Sequence, residues 1–281
     1  MPKFTFMSWN VRMYKGSKPR LEEADRLISR HSPDVLGLIE FKAKRQAREL
    51  MFDRFPEYDF AVTDSKGGLE MIVGFRRGKF KQVIWTQRFD FNNAPRTLRP
   101  GALVSVNYAG QWYSLLYLHT DSGTAKKDYD NRWKAFNKIW KLEEALKRSS
   151  TNGKPNLIVL GDLNTMGKGS TLTGAQEIDQ LERKARQNGM YMPTKDASET
   201  WHQWGKGPRG NRRKLKVSEL ATAMRSDLDH VIASKDLDFV VHGDDGQSAI
   251  HVHGWQQVNG SDRVNFLWSL SDHSALFGEV W

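Results

Sequence analysis

The sequence contains no cysteine. Disulfides, thiolate metal sites and a cysteine nucleophile are therefore excluded, and the lack fits a reducing compartment. No apolar run approaches the roughly 18–20 residues that a membrane span needs. The opening residues Met-Pro-Lys-Phe-Thr-Phe-Met-Ser-Trp-Asn hold no apolar h-region and pass straight into an alternating pattern. No signal peptide is read there, and a soluble, cytoplasmic protein is expected. There is also no short-period repeat, linker or low-complexity stretch, so residues 1–281 are read as one domain.

Positive charge is in surplus. Lys and Arg number 43 against 33 Asp and Glu, for a formal net charge of +10 and a pI near 9.6. Such a balance favours a polyanionic partner, either nucleic acid or an anionic membrane surface. Many soluble proteins are basic without such a partner, so charge alone decides little. Hydrophobic residues at 38% are ordinary for a globular chain.

Hydrophobic patterning alternates between strand and helix. Phe4, Phe6 and Trp9 alternate with polar residues and predict a first strand ending near Asn10. Leu21, Ala24, Leu27 and Ile28 share one face of a predicted helix over Pro19–Arg30. The continuous run Val35–Ile39 suits a strand covered on both faces and ends at Glu40. A helix is expected over Ala43–Phe52, followed by strands at Asp59–Thr63, Leu69–Arg76, Phe80–Phe89, Ala102–Tyr108 and Trp112–His119. Tyr129–Lys147 is the clearest helix, Asn156–Gly161 another buried strand, and Gly174–Asn188 a helix with Gly189 at its C-cap. Late strands are expected at Asp227–Ser234, Leu237–His242 and Ala275–Trp281. This order points to an α/β fold of mixed sheets flanked by helices.

Polar residues recur where these strands end, which is where ligand sites gather in layered α/β folds. They stand in Ser8-Trp9-Asn10-Val11, Leu38-Ile39-Glu40, Leu118-His119-Thr120, Gly161-Asp162-Leu163-Asn164, Asp227-Leu228-Asp229-His230-Val231 and Ser271-Asp272-His273. Each alone is weak, since a single Asp after a strand is commonly an Asx turn or a cap. As an ordered set from residue 8 to 273 they resemble the endonuclease/exonuclease/phosphatase superfamily, which includes DNase I-like nucleases, AP endonucleases, sphingomyelinases and inositol polyphosphate phosphatases.

The resemblance implies a four-layer α/β sandwich, two packed mixed β-sheets flanked by helices, with the site at one edge. It implies a Mg²⁺ or Mn²⁺ cofactor, consistent with hard carboxylate donors. Glu40 would be the principal metal ligand, with Asn10 beside it and Asp272 as a second carboxylate. Asp162 would orient or deprotonate the attacking water, Asn164 would bond the phosphate, and His273 would contact it with Asp229 fixing its tautomer. His230 is read as a supporting residue only. In DNase I-like members a His at the end of the corresponding strand pairs with a Glu from an earlier one. Here that pair would be His119 with Glu70, whose carboxylate sits in an otherwise apolar strand and is costly there unless partnered. The alternative for Glu70 is a solvent-facing place on an edge strand. The segment Thr120-Asp121-Ser122-Gly123 replaces the Tyr-Val-Pro-Asn type of the AP endonucleases and argues against abasic-site specialisation.

Nucleic acid, DNA first, is the expected substrate partner. The stretch from Trp201 to Lys216 places six cations beside two tryptophans. Arg209, Arg212, Arg213 and Lys214 suit backbone phosphates, and Trp201 and Trp204 suit base stacking. Lys42 follows Glu40 where DNase I-like enzymes set a basic residue against DNA. The reading is therefore a metal-dependent phosphodiesterase, a DNase I-like endonuclease leaving 5′-phosphate and 3′-hydroxyl ends. Alternatives are a phosphatase or sphingomyelinase-like lipid phosphodiesterase on the same fold, and an inactive nucleic-acid-binding protein. The sequence indicates no obligate protein partner.

Overall fold

The structure is a computed structural model that describes residues 4–14, 18–42, 45–65, 68–92, 99–201, 204–206, 212–220, 223–242 and 246–281. The first half of the chain runs β1 (Phe4–Tyr14), α1 (Lys18–His31), β2 (Val35–Phe41), α2 (Arg45–Arg54), β3 (Tyr58–Val62), β4 (Glu70–Arg76), β5 (Gln82–Arg88), β6 (Gly101–Tyr108) and β7 (Gln111–His119). Next come α3 (Lys126–Ser149), β8 (Leu157–Asp162), α4 (Gly174–Gln187) and β9 (Met190–Tyr191). Short pieces follow: β10 (Thr200–Trp201), β11 (Trp204–Lys206), β12 (Arg212–Lys214), α5 (Val217–Leu220) and β13 (Arg225–Ser226). The chain then forms β14 (Asp229–Ser234), β15 (Ile250–His253), α6 (Gly260–Asn265) and β16 (Ala275–Val280).

Two six-stranded sheets result, in the orders β15-β16-β1-β2-β4-β3 and β5-β6-β7-β8-β14-β9. Each is mixed, with one parallel pair among its described pairings: β1 with β2 in the first, β7 with β8 in the second. Parallel neighbours need a crossover connection. α1 supplies it in the first sheet and α3 in the second. The matching βαβ units bring the carboxyl ends of β1, β2, β7 and β8 to one side, so residues that terminate these four strands can meet.

Burial explains the layering. Alternate residues of both sheets, among them Phe6, Val35, Ile39, Val73, Val104, Leu115, Tyr117, Ile158 and Val231, form one buried cluster between the sheets. The opposite faces of the same strands pack on helices. Trp9, Leu36 and Leu38 meet Ala24, Leu27 and Ile28 of α1 and Met51 of α2. Leu116, Leu157 and Val159 meet Phe136, Ile139 and Trp140 of α3 and Leu181 of α4. This is why the β2 and β8 runs are apolar at successive positions. Each fully buried side chain of this kind contributes roughly 1.5–3 kcal/mol. α4 starts at a capping box, with Thr173 Oγ1 accepting from the Gln176 N–H at 3.2 Å and Gln176 Oε1 accepting from the Thr173 N–H at 2.8 Å.

Two expectations fail. Leu237–His242 makes only isolated bridges, Phe239 with Val280 and His242 with Ser248, and is not a strand. β2 does not stop at Glu40 but runs on to Phe41 through an irregularity, with Glu40 in the left-handed region at φ 61°. β15 and the π-helical turn Phe266–Leu270 stand where no regular element is expected from the sequence. No helix among the described residues is long and apolar enough to cross a membrane.

Candidate active site

The ends of the two parallel pairs converge on one cleft of about 550 Å³. Asn10 from β1, Glu40 from β2, His119 from β7 and Asp162 from β8 all line it. His119 and Asp162 are register partners across β7 and β8. The His119 Nε2 lies 3.6 Å from Glu40 Oε1 and 3.6 Å from Asp162 Oδ2. Asn10 Nδ2 donates to Asp162 Oδ2 at 2.9 Å, and the Asn164 backbone N–H donates to Asp162 Oδ1 at 3.1 Å. Asn164, at φ 47°, turns the chain back beneath the carboxylate, and its side chain donates to Thr120 O at 3.2 Å. The left-handed backbone at Glu40 is the corresponding device on the first sheet: it re-aims a side chain at a strand bulge.

Burial dominates the electrostatics. It raises the carboxyl of Glu40, and neighbouring Asp162 raises it further. Asp162 is raised in the same way, by burial first and then by Asp229. His119 is driven well below its ordinary value, by burial and then by Arg99 and His273, and so is neutral at pH 7. Its Nδ1 is buried without a hydrogen-bond partner among the described residues.

A second group faces the same carboxylates. His273 Nδ1 donates to Asp229 Oδ2 at 2.6 Å. Burial opposes the imidazolium, but Asp229, Asp162 and Asp272 outweigh it and hold His273 well above its ordinary value. The Ser271–His273 turn is stitched to β1. Ser271 Oγ donates to Asn10 O at 2.6 Å and accepts from the His273 N–H at 3.1 Å, while Trp9 Nε1 donates to His273 O at 2.9 Å. These bonds explain why polar residues surround the apolar end of β1.

Beneath Asp229 lies a layer that sequence reasoning missed. Glu199 is fully buried. Its Oε1 accepts from the backbone N–H groups of Leu228 and Asp229, the latter at 2.9 Å, and its Oε2 accepts from Lys195 Nζ at 2.7 Å. Lys195 also donates to Asp229 O at 2.7 Å. Burial works against both charges, yet the pair keeps Glu199 lowered and Lys195 raised. Nothing local in the sequence marks these two residues, which are four apart in a loop. Arg12 and Arg99 also line the cleft. A basic residue two positions after Asn10, within β1, was the available signal for Arg12.

The remaining expected residues divide. Asp272 lines the cleft and faces Arg12, whose Nε is 3.7 Å from its Oδ1. Asn10 Oδ1 accepts from the Arg12 N–H at 2.9 Å. His230 is buried against Thr165 Oγ1 at 2.8 Å. Glu70 does not pair with His119, nor does it face solvent. It is buried in β4 of the first sheet, where Thr63 Oγ1, Ser65 Oγ and the Ser65 N–H satisfy it at 2.6, 2.9 and 2.9 Å. Trp201 is not a stacking platform: it is buried, packs edge-on against Trp255 at 4.8 Å and donates from Nε1 to Leu220 O at 3.0 Å. Lys42 follows β2 with a half-buried side chain and is not among the described residues of the cleft. Trp204 lies on β11, and Arg212, Arg213 and Lys214 on the paired β12. Arg209 falls outside the described residues.

The model of the Endonuclease/Exonuclease/phosphatase family matches residues 7–273. No curated protein matches the chain by sequence. Among solved structures, a truncated TDP2 from Caenorhabditis elegans is similar at 16% identity and TM-score 0.64, over 99% of this chain and 97% of that one. TDP2 of D. rerio complexed with a single-strand DNA product is similar at 15% and 0.61, over 99% and 98%. A mannosyl-6-phosphatase of Bacteroides thetaiotaomicron is similar at 16% and 0.60, over 99% of each chain. At these identities the likeness is one of fold.

Proposed function

From the premise that the chain belongs to the endonuclease/exonuclease/phosphatase family, we propose that it is a divalent-metal-dependent phosphodiesterase acting on nucleic acid. In this reading it is a DNase I-like endonuclease leaving 5′-phosphate and 3′-hydroxyl ends. The observation that carries the reading is one juxtaposition. Ligand-capable atoms of Glu40, His119 and Asp162 lie within 4.8 Å of one another, and charged His273 faces the same space.

The residues fit Mg²⁺ or Mn²⁺. Two carboxylates whose ionised forms are disfavoured by burial and by a neighbouring carboxylate call for a positive partner, and oxygen donors suit these ions. Glu40 would hold the ion, with Asn10 beside it and Asp272 as the further carboxylate of the cleft. When bound, the ion neutralises phosphate charge and stabilises the leaving oxygen. The chain's own groups do the rest. Asp162, fixed by Asn10 and the Asn164 N–H, is a stronger base than an exposed Asp and takes the proton of the attacking water. His273 presents its Nε2–H and positive charge to a phosphate oxygen while Asp229 holds Nδ1–H. Asn164 offers its second amide N–H to the phosphate.

Support for nucleic acid comes from the +10 net charge, from Arg12 and Arg99 in the cleft, and from β12. The likeness to a TDP2 bound to a DNA product agrees. A sugar-phosphate phosphatase is the second reading, favoured by a cleft of small-molecule size and by the likeness to a mannosyl-6-phosphatase. Supercoiled plasmid incubated with Mg²⁺, Mn²⁺ or EDTA, with wild type beside Asp162→Ala and Glu40→Ala, tests the choice. Metal-dependent nicking absent from both variants is expected. Wild-type protein that nicks nothing with either metal sinks the endonuclease reading.

A further inference from the structure

β15 is the edge strand of the first sheet and carries two histidines, His251 and His253, neither of which lines the cleft. Residues two apart on a strand share a face. Here the His251 Nε2 and His253 Nδ1 are 3.1 Å apart. A third histidine, His31 at the C-terminal end of α1, meets the same pair. Its ring centroid is 4.3 Å from that of His253 and 6.2 Å from that of His251. Phe277 backs it at 4.8 Å.

The protons of this cluster are constrained. His251 Nδ1 pairs with Asp196 Oδ2. Asp196 is itself pinned, its Oδ1 accepting from the Val252 N–H at 2.8 Å and its own N–H donating to Ile250 O at 3.1 Å. A carboxylate on Nδ1 leaves the Nε2 lone pair of His251 aimed at His253. That is the arrangement by which outer carboxylates orient metal-binding imidazoles. His31 Nε2 is buried and has no hydrogen-bond partner among the described residues. Burial and then their neighbours push His31 down to about 4 and His253 down to about 3, so both rings are neutral at pH 7. His253 Nδ1 donates to His251 Nε2 at 3.1 Å, so ligation through Nδ1 moves that proton to His253 Nε2.

We propose that His31, His251 and His253 form a second metal site, distinct from the phosphoester cleft, for a borderline ion such as Zn²⁺. Two nitrogens bound at 2.0–2.1 Å to a tetrahedral ion stand about 3.3–3.4 Å apart. The observed 3.1 Å between His251 and His253 is already close to that. His31, whose Nε2 is buried and makes no hydrogen bond among the described residues, is the third ring beside the pair and would have to turn toward it to ligate the ion. Imidazole donors without thiolate favour Zn²⁺, Ni²⁺ or Cu²⁺ over Mg²⁺. An ion here would tie α1 to the edge strand β15, elements joined now by aromatic contact alone at these rings.

The test is titration of the full chain with Zn²⁺ alone, by calorimetry and by imidazole NMR. Three proteins are compared: wild type, the cleft variant Glu40→Gln/Asp162→Asn, and His251→Asn/His253→Asn. The cleft variant should keep one Zn²⁺ site, and the histidine variant should bind that equivalent at least tenfold more weakly. In wild type, one equivalent should shift the ring resonances of His31, His251 and His253 together. The NMR arm decides if the double variant does not fold. Unchanged ring resonances at one equivalent, or unchanged affinity in a folded His251→Asn/His253→Asn, overturn the proposal.

Discussion

His273 and Asp229 form a 2.6 Å charge-assisted hydrogen bond that crosses between the sheets. Asp229 opens β14 of the second sheet, and His273 sits in the turn leading to β16 of the first. The bond exists only when the two sheets are packed, so the charged state of His273 is a property of the assembled sandwich.

Replacing Asp229 by Asn removes the charge that outweighs burial at His273. The folded-state value of the imidazole then falls, and His273 loses its proton at lower pH. Activity at neutral pH should drop about 10²-fold, as expected for loss of one positioned acid or electrostatic group. The alkaline limb of the rate–pH profile should move toward acid. A limb that stays in place in a folded Asp229→Asn protein would show that Asp229 does not hold the proton on His273.

Glu40→Gln should separate stability from turnover. The wild-type carboxylate is disfavoured by burial and by Asp162. Removing its charge relieves that cost, so the melting temperature in EDTA should rise. On the proposed metal-ligand role of Glu40, phosphodiester cleavage should fall by about 10²-fold or more. Differential scanning calorimetry in EDTA beside a cleavage assay reads both, and a lower melting temperature refutes the account of Glu40.

Glu199→Ala strips the acceptor from two backbone N–H groups and leaves the Lys195 charge buried. Breaking a buried pair from one side costs about 3–5 kcal/mol. Lys195→Met/Glu199→Leu, which removes both charges, should cost less than the two single changes together. Urea unfolding of the cycle measures this, and strict additivity would show that the pair is not coupled.

Glu143, on α3, predicts a pH effect remote from the cleft. Burial raises its carboxyl to about 7, against the opposing hydrogen bond from Ser234 Oγ at 2.8 Å. The folded state therefore binds this proton more tightly than the unfolded state. Stability from this group is full below about 4.5 and is lost as pH rises through about 7. At 1.36 kcal/mol per pH unit, the loss is about 3 kcal/mol. Glu143→Gln should match wild type near pH 4.5 and be more stable at pH 8. Equal unfolding free energies at pH 8 would contradict this.

Much of the cleft was legible because four strand-like segments each lead to a polar residue: Asn10, Glu40, His119 and Asp162. The local signal and the tertiary site coincide there, since parallel β-α-β units place those ends together. The Glu70–His119 pairing failed for a tertiary reason. The sequence left Glu70 either paired or solvent-facing, and its partners, Thr63 and Ser65, come from the segment just before its own strand, where nothing in the strand sequence marks them. Trp201 misled because its flanks are basic, while Trp255 and Leu267, which bury it, lie more than fifty residues on. Lys195 and Glu199 gave no signal at all, because their role depends on backbone groups of Leu228 and Asp229.

One side of the cleft rim is fixed from below by a buried arginine. Arg132 of α3 is fully buried and pairs with Glu177 of α4 at 2.8 Å. It also donates to the carbonyls of Asp121, Gly123 and Gly167 at 3.2, 2.7 and 2.7 Å. One guanidinium thus clasps two loops and a helix, and Gly123 and Met166 beside them form one wall of the cleft. Those bonds couple that wall to α3. Met13 and Leu69 also line the cleft, and Arg132 does not bond to the chain there. A change of substrate by selection or design is thus expected to settle first at Met13 and Leu69. The Arg132 side is the fixed jaw against which a new ligand must be gauged.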